Sequence, residues 1–539
     1  MADRQHATMG GRLAVDFGTS NTVLALWDPT VRQARCYAPA AYRSLYPQAQ
    51  GTTPVVPSLI HYGDDERQWL GQQVVQRNLL RHPHTLRWLK RSISQGAISR
   101  TRRIGERQVS VQQAGHDFLT TLLALARVDL ALGNEEIALT VPVEGYEHYA
   151  AWLGEAAAAA GLPRYRLIDE ASAAALGYDA HLLPGDSYLV FDFGGGTLDL
   201  AVVLIEPEEV AASGRRCRIL AKAGAEIGGI NLDQVLFQDV LAQSGRQDTD
   251  PLIQSLSGAI LAECEQAKIQ LSSQSEAAIT LLDPDSGQVL EAAWSRQRFE
   301  ALLEEADLLA GIDRLIRRAL NRARDRGYGE EQIKSVLLVG GSSQIPVVRT
   351  TLARIFGKGR LLADRPIDAV ARGAAAFVGG VDVYDHIQHS YAIRHRDPKT
   401  GEWAYRPLVE SGTPYPSAKP IAQFTLKPSY DGQEQLGLAI FELGEPSGGG
   451  ATTLTELVFD ANGGARLLSV AAAEVKRRSQ FWMNETAPTF LTPGHPPLAG
   501  EACFRISFGI DGNKRLLLTA HELANGQLHF KDYPVIQLR

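Results

Sequence analysis

Apolar positions along the chain follow two regimes. From Leu13 to about Gly380, short and wholly apolar runs alternate with stretches of helical period. Beyond Asp382 the helical period fades, and short strand-like runs separated by Gly, Pro and Asp turns replace it. The most informative feature of the first regime is a repeat. Leu13 to Leu26 reads LAVDFGTSNTVLAL, and Leu189 to Val202, 176 residues further on, reads LVFDFGGGTLDLAV. Each is an apolar strand, a turn with glycine and a second apolar strand, which predicts a buried β-hairpin. Two such units predict two similar lobes facing each other.

Between and after the repeats the pattern predicts an amphipathic helix over Asp117–Leu132, a buried strand over Ile137–Val141 ended by Pro142, and an Ala-rich helix over Tyr146–Ala160 stopped by Gly161 and Pro163. Further helices are expected over Leu232–Ala242, Leu252–Leu271 and Ser295–Arg326, and a strand over Val336–Val339, broken by Gly340-Gly341. This is an α/β pattern. The second regime predicts strands over Ile421–Leu426, Leu436–Leu443, Thr452–Phe459, Phe504–Ile510 and Arg515–Ala520, with a flexible loop over Glu445–Thr453, and so a separate all-β domain.

A chain of 539 residues exceeds what one hydrophobic core usually organises. Hydrophobic residues make up 45% and the net charge is −7, so no global basic excess marks nucleic acid as a partner. One basic stretch, Arg77 to Arg107, holds nine Lys/Arg and a single acid, Glu106, and is expected to be largely a solvated helix face. Cys36, Cys217, Cys264 and Cys503 are scattered without metal-ligand spacing and are expected to be reduced core thiols. No secretory apolar segment and no run approaching a membrane span is visible, so a cytoplasmic location and no membrane partner are expected.

The chemistry concentrates in turns. In Asp16-Phe17-Gly18-Thr19-Ser20-Asn21, small residues after a buried strand let backbone N–H groups approach phosphate oxygens, and Thr19 and Ser20 add hydroxyls. Asp16 could hold a hydrated Mg²⁺. Asp192-Phe193-Gly194-Gly195-Gly196-Thr197-Leu198-Asp199 sets three glycines between two acids, and close approach of a ligand to the backbone is the natural reason for so much glycine. Two facing turns can clamp one polyphosphate. A third turn, Gly340-Gly341-Ser342, follows a strand and could let a nucleoside lie against the backbone.

These three segments resemble the two phosphate motifs and the adenosine motif of the actin/hexokinase/heat-shock ATPase superfamily, and most of all the 70-kilodalton heat-shock (DnaK-type) chaperones. IALTVPVEGY (Ile137–Tyr146), RLIDEASAAALGYDA (Arg166–Ala180), SRQRFEALLEEADLLAGIDRLIRRAL (Ser295–Leu320) and QIKSVLLVGGSSQIPVVR (Gln332–Arg349) resemble the same family. The resemblance covers residues 12–380 strongly and 381–532 weakly. It implies a two-lobed, actin-like ATPase domain of duplicated ribonuclease H-like fold over residues 1–380, a linker over 381–390, and a β-sandwich substrate domain over 391–539.

Carried over residue by residue, the resemblance implies ATP or ADP with Mg²⁺ as ligands. Asp16 and Asp192 would hold the metal through water. Gly18, Thr19, Ser20, Asn21, Gly194, Gly195, Gly196 and Thr197 would bind phosphates, with Gly228 and Gly229 nearby. Glu170 would order the attacking water, Thr197 and Asp199 would sit near the γ-phosphate, with Asp199 a candidate proton acceptor, and Lys90 would neutralise the transferred phosphoryl group. Glu265, Lys268 and Ser272, spaced along one helix face, would bind ribose and adenine, and Gly340, Gly341 and Ser342 would line the nucleoside.

Some positions depart from the family pattern. Gln344 stands where it has Arg, Ala171 where it has Pro after Glu170, Ile367 where an acid is usual, and Val381–Ile387 is less apolar than its leucine-rich linker. Pro407–Lys419 and Phe504–Gln527 resemble the opening and closing strands of its substrate domain, and with seven residues after Asp532 a short member without a helical lid is expected. The function expected is ATP-dependent binding of unfolded or extended polypeptides, with a J-domain co-chaperone and a nucleotide exchange factor as further partners. The alternatives on the same fold are a sugar or carboxylate kinase and an actin-like filament protein.

Overall fold

The structure is a computed structural model; it describes residues 12–48, 51–94, 101–143, 147–178, 182–207, 215–387, 389–397, 400–443, 453–460, 462–471, 480–485, 488–511 and 514–538. These residues divide into two compact units. The first holds the chain to Tyr384 together with Thr453–Val470, and the second holds Asp385–Thr452 and Ala471–Arg539.

In the first unit β1 (Arg12–Phe17) and β2 (Asn21–Asp28) form the first hairpin. They join β3 (Gln33–Tyr37), β4 (Ser44–Gln48), β5 (Gly51–Pro57), β6 (Ile137–Val141) and β7 (Tyr165–Asp169) in one sheet of order β7-β6-β1-β2-β5-β4, with β3 also on β2. A second sheet is built from β8 (Ser187–Phe193), β9 (Leu198–Ile205), β10 (Arg215–Ala225), β11 (Ile333–Val339), β12 (Leu361–Leu362) and β13 (Asp382–Tyr384), in the order β12-β11-β8-β9-β10-β13.

The two sheets repeat one plan. β1 pairs antiparallel with β2 and parallel with β6, and β8 pairs antiparallel with β9 and parallel with β11. Even the registers coincide: Asp16 faces Val23 in the first hairpin, and Asp192 faces Asp199 in the second. The parallel, doubly covered strands explain why they read as unbroken apolar runs.

Two helices lie against these sheets and touch each other. α2 (Glu170–Gly177) is capped by Asp169, whose carboxylate accepts the Ser172 amide at 2.9 Å, and α5 (Ala369–Val378) returns from the end of the second sheet. α2 packs on β8, β9 and β10, and α5 on β1, β2 and β6. Their backbones meet at glycine. A Cβ on Gly373 would lie 1.7 Å from the Ala173 carbonyl oxygen, and one on Gly177 1.9 Å from that of Ala369. The shared core is accordingly alanine-rich: Ala171, Ala173, Ala174, Ala175, Ala371, Ala374 and Ala375 pack with Ala14, Ala25, Val190 and Ala201 of the two sheets. Small side chains let two helices approach to backbone contact.

α1 (Leu89–Ser94), α3 (Gly229–Ser244) and α4 (Pro251–Ser273) complete the framework used below. Asp250 caps α4 by accepting the Leu252 amide at 3.0 Å, and Pro251 opens it.

The second unit contains two antiparallel sheets. One has β14 (Ser390–Arg396), β15 (Trp403–Val409), β17 (Leu436–Leu443), β20 (Gln480–Trp482) and β21 (Thr489–Leu491); the other has β16 (Ala422–Leu426), β22 (Phe504–Ile510), β23 (Arg515–Glu522) and β24 (Leu528–Gln537). Tyr391, Leu438, Ile440, Phe504, Ile506, Phe508, Leu516 and Leu518 fill the core between them, a sandwich by its alternating inward residues. Two further C-terminal strands, β18 (Thr453–Phe459) and β19 (Ala465–Ala471), pair among the described residues with each other alone and belong to the first unit up to Val470.

Three expectations from sequence differ, and a fourth falls outside the described residues. The helix expected over Ser295–Arg326 is two, Arg296–Glu305 and Leu308–Arg324, because Asp307 takes a left-handed φ of 57°. The basic stretch is not one solvated helix face: it contains α1 and strands at Thr85–Leu86, Arg102–Ile104 and Arg107–Val109. Within Val381–Ile387, β13 adds to the edge of the second sheet, parallel to β10. The loop expected at 445–453 lies, but for its last residue, outside the described residues. Among the described residues no helix is long and apolar enough to cross a membrane.

The α2–α5 contact gives a direct prediction. Gly373→Ala places a methyl group inside the Ala173 carbonyl, so unfolding by urea should show a loss of about 1–3 kcal/mol or more. An unchanged midpoint would contradict the backbone-to-backbone packing.

Candidate functional site

The two hairpin turns are held against each other. The Gly18 amide donates to Asp16 O at 3.1 Å and the Ser58 hydroxyl to Gly18 O at 2.7 Å, which fixes the first turn. The Gly194 amide donates to Thr197 O at 3.0 Å in the second. A Cβ on Gly195 would stand 2.6 Å from Ser20 Oγ, and one on Gly196 2.5 Å from Thr19 Oγ1. Gly195 and Gly196 thus permit a close approach, and the partner they approach is the opposite turn, where the sequence reading expected a ligand.

The N-terminus of α3 joins the second turn. Gly229 N and Ile230 N donate to Gly194 O and Gly195 O at 3.0 and 2.8 Å, and a Cβ on Gly228 would strike the Gly196 backbone at 2.4 Å. Ser342 Oγ donates to Gly194 O at 2.9 Å, and Gly340, with φ 77°, passes so close to Phe193 O that no side chain fits. All three glycine turns therefore form one cluster. Gly341 faces open space.

Beside the turns sits a buried charge cluster. Lys90 of α1 is ion-paired with Glu170 at the start of α2, and both are buried. Asp16 accepts the Thr140 hydroxyl at 3.0 Å, and Asp199 accepts the Val143 amide at 2.7 Å. Burial and then the neighbouring Glu170 push Asp16 up to about 7, against the pull of Lys90 and Thr140. Asp199 is likewise pushed up to about 7 by burial and Glu170, while the Thr197 hydroxyl, the Val143 amide and Lys90 pull it down. Asp192 lies well above the carboxylate range through burial, Glu170, Asp199 and Asp16. Burial would lower Lys90, but Glu170, Tyr149 and Asp16 outweigh it and hold its ammonium above the usual value. A shallow, open depression adjoins the cluster, lined by Thr19, Lys90, Arg91, Ser94, Gly196, Thr197 and Glu226.

Along α4, Lys268 pairs with buried Asp233 at 2.7 Å and reaches Gly229 O at 3.2 Å, while Glu265 pairs with Arg87. Ser272 donates to the Lys268 carbonyl one turn back, at 3.1 Å. Lys268 and Ser342 both lie 3.0 Å from where a Gly229 Cβ would be, so Lys268 meets the glycine cluster directly. Gln344 donates to Ser343 Oγ at 2.9 Å.

The structure thus brings Asp16, Lys90, Glu170, Asp192 and Asp199 into one electrostatic cluster, with Thr19, Ser20, Gly194–Thr197, Gly228, Gly229, Lys268 and Ser342 around it. Sequence reasoning missed Arg87, Arg91, Glu226 and Asp233. Arg87 and Arg91 were hidden in the basic stretch. Only the one-face spacing of Asp233 and its neighbours on α3, facing Lys268, could have hinted at the fourth.

Three buried acids, the half-buried Asp16 and one lysine fit a divalent cation with an anionic ligand. Among the described residues no three carboxylates, histidines or cysteines form a direct ligand set.

Comparison with known proteins agrees with this geometry. The sequence model of the Hsp70 protein family matches residues 94–387, more than half of the chain. Among curated proteins, the chain is 25% identical over 557 aligned positions to the chaperone protein DnaK of Deinococcus proteolyticus, covering 96% of this chain and 78% of that one. It is 27% identical over 541 positions to a chaperone protein HscA homolog of Aromatoleum aromaticum, covering 96% and 77%. The chaperone protein HscA of Pectobacterium carotovorum is 27% identical over 425 positions, 77% of this chain and 59% of that protein. This chain belongs to the Hsp70 family.

Proposed function

We propose that this protein is an ATP-dependent chaperone, which binds and hydrolyses ATP with Mg²⁺ on a two-lobed, actin-like domain and couples this to holding extended polypeptide segments on its β-sandwich. The observation that carries the reading is the charge cluster between facing glycine turns: Asp16, Glu170, Asp192 and Asp199 share the single ammonium of Lys90. The chaperone names of relatives at 25–27% identity support it.

On this reading ATP supplies a terminal phosphoryl group for transfer to water, and Mg²⁺ offsets the charge of the phosphates. The chain's own residues do the rest. Asp16 and Asp192 hold the hydrated cation. Backbone amides and hydroxyls of Gly18–Asn21 and Gly194–Thr197 bind phosphate oxygens, with the α3 N-terminus behind Gly228 and Gly229 favouring negative charge. Lys90 holds positive charge beside the transferred group. Glu170 orients water. Asp199, pushed to about 7, is poised to take up a proton on its carboxylate near neutral pH. Glu265, Lys268, Ser272 and Gly340–Ser342 contact the nucleoside.

Turnover tests the chemistry. Lys90→Ala and Thr197→Ala should each lower ATP hydrolysis about 10²–10³-fold, because each removes a preorganised charge-stabilising group. Circular dichroism would check the fold, and turnover near that of the wild type would contradict the roles assigned.

Coupling gives a second test. The less apolar segment Val381–Ile387 and the Ala171 that follows Glu170 motivate a weak link between nucleotide and peptide sites. Peptide affinity measured with ATP and with ADP should differ by the low end of the ~1–3 kcal/mol common in allosteric proteins. A change well over about a hundredfold would contradict it.

A further inference from the structure

Among the described residues the hairpin of β18 and β19 pairs with no other strand, yet it is firmly seated. Its backbone is captured by α4 and the turn before it. Ala465 N donates to Ser257 Oγ at 2.9 Å, Ala465 O accepts from Gln254 Nε2 at 2.8 Å, and Leu467 N donates to Asp248 Oδ2 at 2.9 Å. Ala465 is fully buried, and Leu457, Phe459 and Leu467 pack against the core of the second sheet.

The same hairpin also touches the other side of the site. Phe459 lies 6.0 Å from the Trp88 ring, and Arg102 stacks over it at 5.2 Å. A Cβ on Gly463 would come within 3.3 Å of Pro83. Pro83 and Arg102 are tied together, since the Arg102 guanidinium donates to Pro83 O at 2.8 Å. The segment that carries them is rooted by Leu86, Leu89, Ile93 and Ile104 in the core of the first sheet, and only its Trp88 reaches into the core of the second, where α4 is rooted. The hairpin therefore spans both.

Its turn is shaped for this seat. Gly463 has φ 91°, which the turn itself requires. Gly464 does not have a positive φ; there a side chain is excluded because Cβ would stand 2.0 Å from Gln254 Oε1. Gln254 is not free to swing aside, because its amide nitrogen donates to both Ala465 O and Asp248 O.

The bridged elements are the ones that carry the candidate ligand contacts. α4 bears Glu265 and Lys268, and Trp88 precedes Lys90 by two residues. The ion pairs Arg87–Glu265 and Arg81–Glu263 cross between the same two elements. Separating α4 from the 81–102 segment would break both pairs and unseat the hairpin.

We propose that the β18–β19 hairpin is a strap that ties the two walls of the nucleotide cleft together and slows nucleotide release, with Phe459 as its anchor; the inference rests on the nucleotide-binding reading above. Part of the C-terminal region thereby sets the lifetime of the bound nucleotide. Because the strap opposes opening, its weight falls on the release rate.

The test uses the full chain and a fluorescent ADP analogue, chased with excess unlabelled ADP in a stopped-flow instrument. Phe459→Ala removes both ring contacts and should speed release about tenfold, the effect of about 1.4 kcal/mol. In the opposite direction, Pro83→Cys with Gly463→Cys sets two thiols on carbons 3.3 Å apart, joining the hairpin to the wall opposite α4, and the strain at position 463 is the same in both redox states. Oxidised, this variant should release the analogue at least about tenfold more slowly than when reduced. The staple decides alone should Phe459→Ala lose its fold by circular dichroism. Binding of the analogue with the same release rate in the wild type, in Phe459→Ala and in the oxidised staple overturns the strap but leaves the nucleotide site standing. Absence of any binding by the wild type overturns both.

Discussion

Four carboxyl groups and one ammonium group share a buried space, and much of the first unit can be understood from that imbalance. Isolated charge is costly away from water, and like charges raise one another's pKa. Asp16 and Asp199 are pushed up to about 7 and Asp192 well above the usual carboxylate value, while Glu170 keeps Lys90 charged. An arrangement so short of positive charge is poorly suited to stabilising the empty protein. It suits a site completed by a cation and an anionic ligand, and the glycine turns lie beside it.

The sheets deliver these groups to one place by repetition. Asp16 and Asp192 stand at equivalent ends of β1 and β8, and their hairpins share one register. The helices α2 and α5 then bring the two sheets into one alanine-rich core through contacts at Gly177 and Gly373 that admit no side chain. Glu170, which pairs with Lys90, is the first residue of α2. Packing at the helix crossing and electrostatics at the site are therefore parts of one element. A shift of α2 along α5 would move Glu170 relative to Lys90.

What was legible in the sequence follows from the range of the forces involved. The hairpins around Asp16 and Asp192, the helix over Leu252–Leu271 and the spacing of Glu265 and Lys268 are local patterns, so periodicity and turn chemistry exposed them. The break at Asp307 was not legible, because apolar periodicity continues across it and only the left-handed backbone of one residue interrupts the helix. Nor was the fate of the basic stretch: Arg81 and Arg87 find Glu263 and Glu265 some 180 positions away, and no local pattern states such a pairing. The seat of Ala465 on Ser257 is more distant still. β18 read correctly as a strand, but its partner surface depends on tertiary packing.

The central claim is that the buried acids and the facing turns form a site for a magnesium-bound nucleotide. Calorimetric titration of the purified protein with ATP, with Mg²⁺ present and then removed by chelator, tests it most directly. The account predicts saturable binding that weakens markedly when Mg²⁺ is withdrawn, since the carboxylates would then face the phosphates without an intervening cation. Failure to bind ATP with Mg²⁺ present, or binding of equal strength without it, would contradict the account.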